Sequence, residues 1–423
     1  MGLLVLCAAT MHGQDLGTLA GMSLADGLYA VEVTTGAGLN LSLGLIGNPT
    51  SGETRERVAA SALSVITMQP TDRTVPEGTP TTFSVSVAHP DDITVFQWRH
   101  DGTAIPDANS ASYSILSTGL TDAGQYLCEV QNREGTKTTS PAMLTVMPAA
   151  QAGHIASFSV VTSLDAADAQ TVIGCGVGGA GTLGAKSVLV RAAGPSLVRF
   201  GIADRNPAPR LELFSGATKL GENTRWGGQA SIVEAAARVG AFPFVANNST
   251  DAAMLVDVTP TASDTIRISG DGGATGIVLA EIYDATPAAA VTSTTPRFVR
   301  CSVLKMIPAG ANVSVGFVVA GQTPRTVLIR ALGPALEKFG VTDAMPDPVL
   351  TLYQGVTPIA VNDDWGGASA LASAFASVGA STLGASAKDA ALVVRLARGS
   401  YAIEASEAGN AGGIVLVEIY ELP

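Results

Sequence analysis

The sequence predicts a mainly β protein built from sandwiches, two of them tandem copies of one jelly-roll-like unit with short helices. Three observations lead there. A stretch of strand and helical turn occurs twice, as Val188-Leu-Val-Arg-Ala-Ala-Gly-Pro-Ser-Leu-Val-Arg-Phe-Gly201 and as Val327-Leu-Ile-Arg-Ala-Leu-Gly-Pro-Ala-Leu-Glu-Lys-Phe-Gly340. Arg191 and Arg330 stand 139 residues apart (330 − 191), and the same offset carries Pro195 to Pro334, Asn223 to Asn362 and Trp226 to Trp365. It slips to 138 between Asp251 and Asp389 and to 137 between Tyr283 and Tyr420, so small loop deletions fall late in the second copy. That period is too long for a solenoid, and each copy is expected to be a domain. Second, short runs of alternating apolar and polar residues recur between turn signals. Third, 14% charged and 5% aromatic residues suit small β-domains rich in turns.

The net charge of −12 argues against nucleic acid and anionic membrane surfaces as partners. No apolar run of membrane-spanning length is present. Residues 1–14 read as a signal-like segment, with Leu3–Ala9 as its apolar core, although a basic start is missing. A buried N-terminal strand is the competing reading of the same run. Residues 15–62 follow as a β-hairpin and linker, its strands at Leu24–Val33 and Leu39–Ile46. So short a segment cannot form its own core. It is expected to dock within the chain or to complete a neighbour's sheet, which makes self-association a candidate property.

Residues 63–148 change pattern. Strands are expected at Thr82–Val87, Val95–Trp98, Tyr113–Leu116, Leu120–Val130 and Ala142–Val146, with a tight turn at Asp101-Gly102. Trp98 and the run Asp122-x-Gly124-x-Tyr126-x-Cys128 resemble the core tryptophan and tyrosine corner of an immunoglobulin-like domain of the intermediate set, as found in bacterial surface proteins. The resemblance implies an immunoglobulin-like sandwich. This sequence departs from it at Val85, which stands where a disulfide partner for Cys128 belongs, so Trp98 is expected to pack on Val85 and Cys128 without a covalent bridge.

The repeats span residues 153–287 and 296–423, joined by a small-residue linker at 288–295. In the second, strands are expected at Val313–Val319, Thr326–Ala331, Val349–Tyr353, Ile359–Asn362, Ala390–Leu396, Ser400–Ser406 and Gly413–Tyr420. Pro334 and Gly340 bracket one helical turn. Leu371, Phe375 and Val378 share a helical face, which predicts a second helix over Ser369–Val378. The stretch from Asp347 to Trp365, with Leu396-Ala-Arg-Gly-Ser-Tyr-Ala-Ile, resembles the bacterial pre-peptidase C-terminal type of domain over about half the repeat. A similar tandem module stands beside immunoglobulin-like domains in exported bacterial proteins. Both resemblances imply a non-catalytic accessory role.

Candidate sites are few. Asn362, Asp363 and Asp364 bunch oxygen ligands as a calcium site does. The first copy has Asn223-Thr224-Arg225 there, whose arginine repels a cation, so calcium is confined to the second repeat and an Asp-rich turn is the simpler expectation. Trp226 and Trp365, each before two glycines, offer a sugar-stacking platform if exposed and a plug for the sandwich end if buried. No other cofactor is expected. The four histidines are His12, His89, His100 and His154, which excludes a Ser-His-Asp constellation within the second repeat and argues against an enzyme. Cys128, Cys175 and Cys301 fall in three predicted units and read as buried small hydrophobes. Arg191 and Arg330 end apolar strands beneath a helical turn, where a guanidinium needs an acid. Glu281 and Glu418 are the expected partners, with Asp251 and Asp389 as second choice. The resulting expectation is a non-catalytic, exported structural or adhesive protein at the cell surface or outside the cell, meeting protein or glycan there. A carbohydrate-binding accessory protein is the alternative, to be decided by the burial of the two indoles.

Overall fold

The computed structural model describes residues 65–88, 94–165, 168–260 and 264–423, with the backbone alone at 33–34 and 40–41. The signal-like segment, Cys7, His12 and His89 lie outside the described residues. Of the N-terminal hairpin, β1 (Val33–Thr34) and β2 (Asn40–Leu41) are described; they pair antiparallel, Val33 opposite Leu41. The chain divides into two compact units, Met1–Val75 with Thr79–Val146 and Pro76–Gly78 with Met147–Pro423.

The first unit carries an immunoglobulin-like sandwich. Its strands are β3 (Val65–Met68), β4 (Arg73–Pro76), β5 (Thr81–Ser84), β6 (Ser86–Ala88), β7 (Val95–His100), β8 (Thr103–Ala104), β9 (Ser112–Ile115), β10 (Gly124–Asn132), β11 (Gly135–Thr138) and β12 (Ala142–Met147). One sheet runs β4-β12-β10-β7-β8, with β11 also on β10; β5 pairs with β9 and β3 with β6. The single strand expected over Thr82–Val87 is therefore two, broken at Val85, each with its own partner. Asp101 and Gly102 both take positive φ, 47° and 80°, as the turn between β7 and β8 demands. Trp98 is fully buried opposite Cys128, and Phe83 and Val85 share that core. The indole N–H donates to Ser110 O at 2.9 Å, and the Tyr126 hydroxyl to Asp122 O at 2.8 Å, which forms the corner. Cys128 is a free buried thiol.

The second unit contains both repeats. In the first, eight strands are β13 (His154–Leu164), β14 (Gln170–Gly178), β15 (Lys186–Ala193), β16 (Pro209–Ser215), β17 (Thr218–Asn223), β18 (Ala252–Val258), β19 (Asp264–Gly270) and β20 (Gly276–Asp284). The second matches them with β21 (Arg297–Ile307), β22 (Asn312–Ala320), β23 (Arg325–Leu332), β24 (Pro348–Gln354), β25 (Thr357–Asn362), β26 (Ala390–Leu396), β27 (Gly399–Glu407) and β28 (Gly413–Glu421). Helix α1 (Ala230–Val239) lies before β18 and α2 (Ser369–Ser377) before β26. A 3₁₀ turn follows each third strand, Pro195–Phe200 and Pro334–Phe339, and closes on a glycine with left-handed φ, 74° at Gly201 and 83° at Gly340. Within each repeat the strands order as sixth-third-eighth-first in one sheet and fifth-fourth-seventh-second in the other, a jelly roll.

The two copies are not separate sandwiches. One sheet runs β18-β15-β20-β13-β22-β27-β24-β25 and the other β17-β16-β19-β14-β21-β28-β23-β26. The first strand of each repeat pairs antiparallel with the second strand of the other, β13 with β22 and β14 with β21. The linker at 288–295 separates the repeats along the chain but not in space. The physical reason is edge protection: alone, each jelly roll would leave its first and second strands open, and the exchange pairs all four. One apolar core follows, with Phe158, Val160 and Ile282 from one repeat continuous with Val303, Val315 and Val417 from the other. Strand β21 is not among the strands that the sequence predicts, because its alternation is broken. A bulge skips Val299, and Lys305 occupies an inward position.

This arrangement predicts that residues 296–423 expressed alone, with β21 and β22 unpaired, will aggregate, whereas residues 153–423 at the same concentration form no species larger than the full chain does. Light scattering on both fragments checks this. A monomeric, cooperatively melting second repeat would show that the seam is dispensable.

Candidate functional site

Strand β15 is buried on both faces. Val188, Val190 and Ala192 point into the shared core, and Leu189 joins the smaller cluster beneath α1 with Trp226, Ile232 and Ala235. Arg191 is the charged member of that outward row and is 1% exposed. Strand β23 repeats the pattern, with Arg330 also 1% exposed beside a cluster of Leu328, Trp365 and Phe375. Each cap thus closes over a guanidinium.

The structure brings each arginine to the glutamate expected for it. Arg330 is opposite Glu418 across β23 and β28; its Nε donates to Glu418 Oε2 at 3.0 Å and its Nη1 to Ser381 O at 2.6 Å. Tyr420 donates to the other carboxylate oxygen at 2.8 Å. Arg191 is opposite Glu281, but Nη1 stands 3.4 Å from Oε2 and neither atom completes a hydrogen bond. Two rings account for the looser pair. The Arg191 guanidinium lies 4.5 Å from the Phe242 ring and 4.2 Å from the Phe244 ring, and its Nη2 donates to Phe242 O at 2.8 Å. Burial raises the Glu281 carboxyl above its ordinary pKa, and Arg191 and the Tyr283 hydroxyl only partly oppose it.

Asp251 and Asp389 do other work. Each is fully buried and ties down the 3₁₀ turn after the arginine strand. Asp251 Oδ1 accepts from the backbone N–H of Gly194 and Ser196 at 2.9 and 3.1 Å, and Asp389 Oδ1 from Gly333 and Ala335 at 2.8 and 3.1 Å. In the first repeat the hydroxyls of Ser196 and Ser249 satisfy the second oxygen. Alanines 335 and 387 stand at those places in the second, and Asp389 Oδ2 is left without a hydrogen bond.

The tryptophans and Asn362 occupy the structural places that the sequence offered beside their ligand readings. Trp226 and Trp365 are 5% and 7% exposed, and their N–H groups donate inward, to Ala246 O at 3.1 Å and Gly384 O at 2.8 Å. Neither presents a sugar-stacking face to solvent. Asn362 is a strap: its Oδ1 accepts from Ala391 N–H at 2.8 Å and its amide donates to Asp364 O at 2.9 Å, as Asn223 does with Ala253 and Arg225. Asp364 pairs with the Lys388 ammonium at 3.1 Å. A calcium ion would have to displace that lysine, and among the described residues no group of three acidic, histidine or cysteine side chains has metal-binding geometry.

Two further pairs, equivalent in the two repeats, escaped sequence reasoning. Lys186, 1% exposed, meets Asp284 at 2.6 Å, and Arg325 meets Glu421. The offsets of 139 and 137 that relate the repeats carry one pair onto the other, so the repeat alignment held the signal.

The caps differ in one respect. Ala241 N–H bonds to Ala236 O as Ala380 N–H bonds to Phe375 O, so Ala236 and Phe375 are equivalent. In the second repeat the helix supplies the ring that sits 5.1 Å from the guanidinium and 5.5 Å from the tryptophan. In the first, Phe244 supplies it from the following loop, 5.3 Å from Trp226. The exchange leaves a cavity of about 300 Å³ lined by Arg191, Trp226, Ile232, Ala236, Phe242 and Phe244 among others. Its lining suits an apolar group and offers no nucleophile or general base.

Residues 65–132 match the family model for an immunoglobulin domain. Among solved structures, the tandem immunoglobulin repeats of Dlar align at 21% identity over 20% of this chain and 48% of that one, with a TM-score of 0.19. The N-terminal four immunoglobulin domains of Dscam1 isoform 4.44 align at 27% identity over 20% of each chain, TM-score 0.18. For isoform 1.9 the values are 27%, 29% of this chain and 27% of that one, TM-score 0.19. The chain therefore spans less than half the length of these structures. Among the described residues no helix is long and apolar enough to cross a membrane.

Arg330→Met should destabilise the protein by about 3–5 kcal/mol, because Glu418 is left buried and uncompensated. Urea unfolding measures this, and a midpoint equal to the parent's would remove the arginine from the core's energetics. For Glu281 the sign is set by its raised folded pKa. The folded state holds that proton more tightly than the unfolded chain, so stability from this group is fully present below the unfolded value of about 4.3 and declines as pH rises through the folded one. The stability of the parent minus that of Glu281→Gln should fall with rising pH across that window. A difference that rises instead would mean that Arg191 dominates burial.

Proposed function

We propose that this is an exported, non-catalytic protein of structural or adhesive type, working at the cell surface or outside the cell through surface contacts, including contacts with its own copies. The observation that carries this reading is the contrast between equivalent sheet edges. Edge strand β17 is guarded by charge: Lys219 pairs with Glu212 at 3.0 Å and Arg210 with Glu222 at 2.8 Å. Edge strand β25 has no charged residue, its Ile359 and Val361 are 45% and 60% exposed, and Val356 in the turn before it is 95% exposed. An edge with free backbone groups and an apolar face is a pairing surface unless something blocks it. Pro358 blocks only its first end. A second copy is the occupant we favour, because a two-fold axis lets two such edges meet antiparallel. The immunoglobulin-like domain is consistent with a contact role, and the cavity lined without acid, base or nucleophile is consistent with the absence of catalysis. The buried indoles leave the carbohydrate reading without its platform.

Light scattering over a concentration series should show dimers of the parent and monomers of an Ile359→Lys/Val361→Lys variant that melts at the parent's temperature. A parent that stays monomeric throughout, or a variant that still dimerises, overturns the edge contact. Export is read separately, by adding protease to intact cells: full protection would exclude surface display.

A further inference from the structure

Cys175 of β14 and Cys301 of β21 come from different repeats and face each other directly across the seam. They are 4% and 0% exposed, both line the shared core, and both are free thiols in the structure. The reciprocal pairing in the opposite sheet puts Phe158 against Phe317. At equivalent points the core thus has two rings in one sheet and two thiols in the other. Small side chains there leave room for the rings, but alanine or valine would also do that. What two cysteines add is the capacity to bond. Opposed residues of antiparallel strands have Cα atoms about 4.5–5.5 Å apart. That lies inside the span of roughly 4.4–6.8 Å that a disulfide accepts.

We propose that Cys175 and Cys301 form a disulfide that locks the two repeats together across the seam when the chain folds under oxidising conditions. The oxidant is a disulfide, either a small molecule such as oxidised glutathione or a dithiol–disulfide oxidoreductase. One cysteine thiolate attacks a sulfur of the oxidant and releases one thiol. The second thiolate attacks the mixed disulfide and releases the other. The protein loses two protons and two electrons, and the oxidant's disulfide becomes two thiols. Exchange precedes closure of the seam, since both sulfurs are buried once the strands pair. In the closed seam the hydrogen bond with Cys175 and burial push the Cys301 thiol up, so thiolate is scarce and a reduced, folded molecule resists later oxidation. The loop that the bond closes is long, which favours stabilisation through the unfolded chain. Cys128 takes no part, being enclosed in the immunoglobulin core of the other unit.

The test uses the full chain, refolded from denaturant in a reduced/oxidised glutathione mixture, then denatured, alkylated and peptide-mapped without reduction. The expected product is one linked species joining the Cys175 and Cys301 peptides, with Cys128 alkylated. The oxidised protein should melt above the same sample kept reduced, and Cys175→Val should abolish both the link and the difference. Cys301→Ala repeats the comparison if the valine variant fails to fold. Full alkylation of Cys175 and Cys301 after refolding, or linkage of either to another cysteine, overturns the proposal. The assay depends neither on export nor on the β25 edge, so its outcome stands apart from that of the functional reading.

Discussion

The reciprocal pairing of β13 with β22 and β14 with β21 is the constraint on which the second unit depends. A jelly roll ends its two sheets on its first two strands, and those edges invite pairing. Here each repeat answers the other's open edges, and the hydrogen-bonded ladders and the apolar core run through the junction without interruption. Two units that are separate in sequence share one core and two continuous sheets. Their angle is fixed by sheet geometry instead of by a linker.

Once the core is shared, the caps have to close the outer faces of β15 and β23, and both do so over a buried arginine. The position is costly for any cation, and arginine meets the cost because its planar group bonds in several directions while presenting flat faces to aromatic rings. In the second repeat the hydrogen bonds dominate: Glu418, Ser381 and the ring of Phe375 surround Arg330. In the first, two phenylalanines draw the guanidinium away from Glu281, and the ion pair lengthens. The same residue thus serves one fold in two ways, and the difference traces to the source of the rings, Phe375 of the helix in one copy and Phe242 and Phe244 of the following loop in the other.

Much of this was legible in the sequence, for identifiable reasons. The repeat offset aligned the arginines with their glutamates because all four sit on paired neighbouring strands, where no insertion can fall without breaking register. Trp98 and Tyr126 marked the immunoglobulin core because that packing requires their shape and polar tips. The seam was not legible. Exchange between repeats leaves no periodic mark, since β13 and β21 alternate in the same way whichever strand they pair with. Lys305 and the bulge at Val299 further concealed β21. The tryptophans were ambiguous for a different reason, as glycine neighbours fit a buried plug and an exposed platform equally well.

What distinguishes the two copies then locates where function can have diverged. Residues shared by both, the arginine–glutamate pairs, the aspartates under the turns and the asparagine straps, are those that the fold needs. Departures occur at the seam, where Phe158 and Cys175 stand for Cys301 and Phe317, and also at the surface and in one cap: charges on β17 against bare side chains on β25, and a cavity beside Ala236 where the second repeat is filled by Phe375. A core that is continuous across the seam can tolerate the changes at β25 and beside Ala236, because they lie on an edge and an outer face, away from the paired strands that hold the repeats together. The fused sandwich is therefore a fixed frame on which one copy can keep a guarded edge while the other offers an open one.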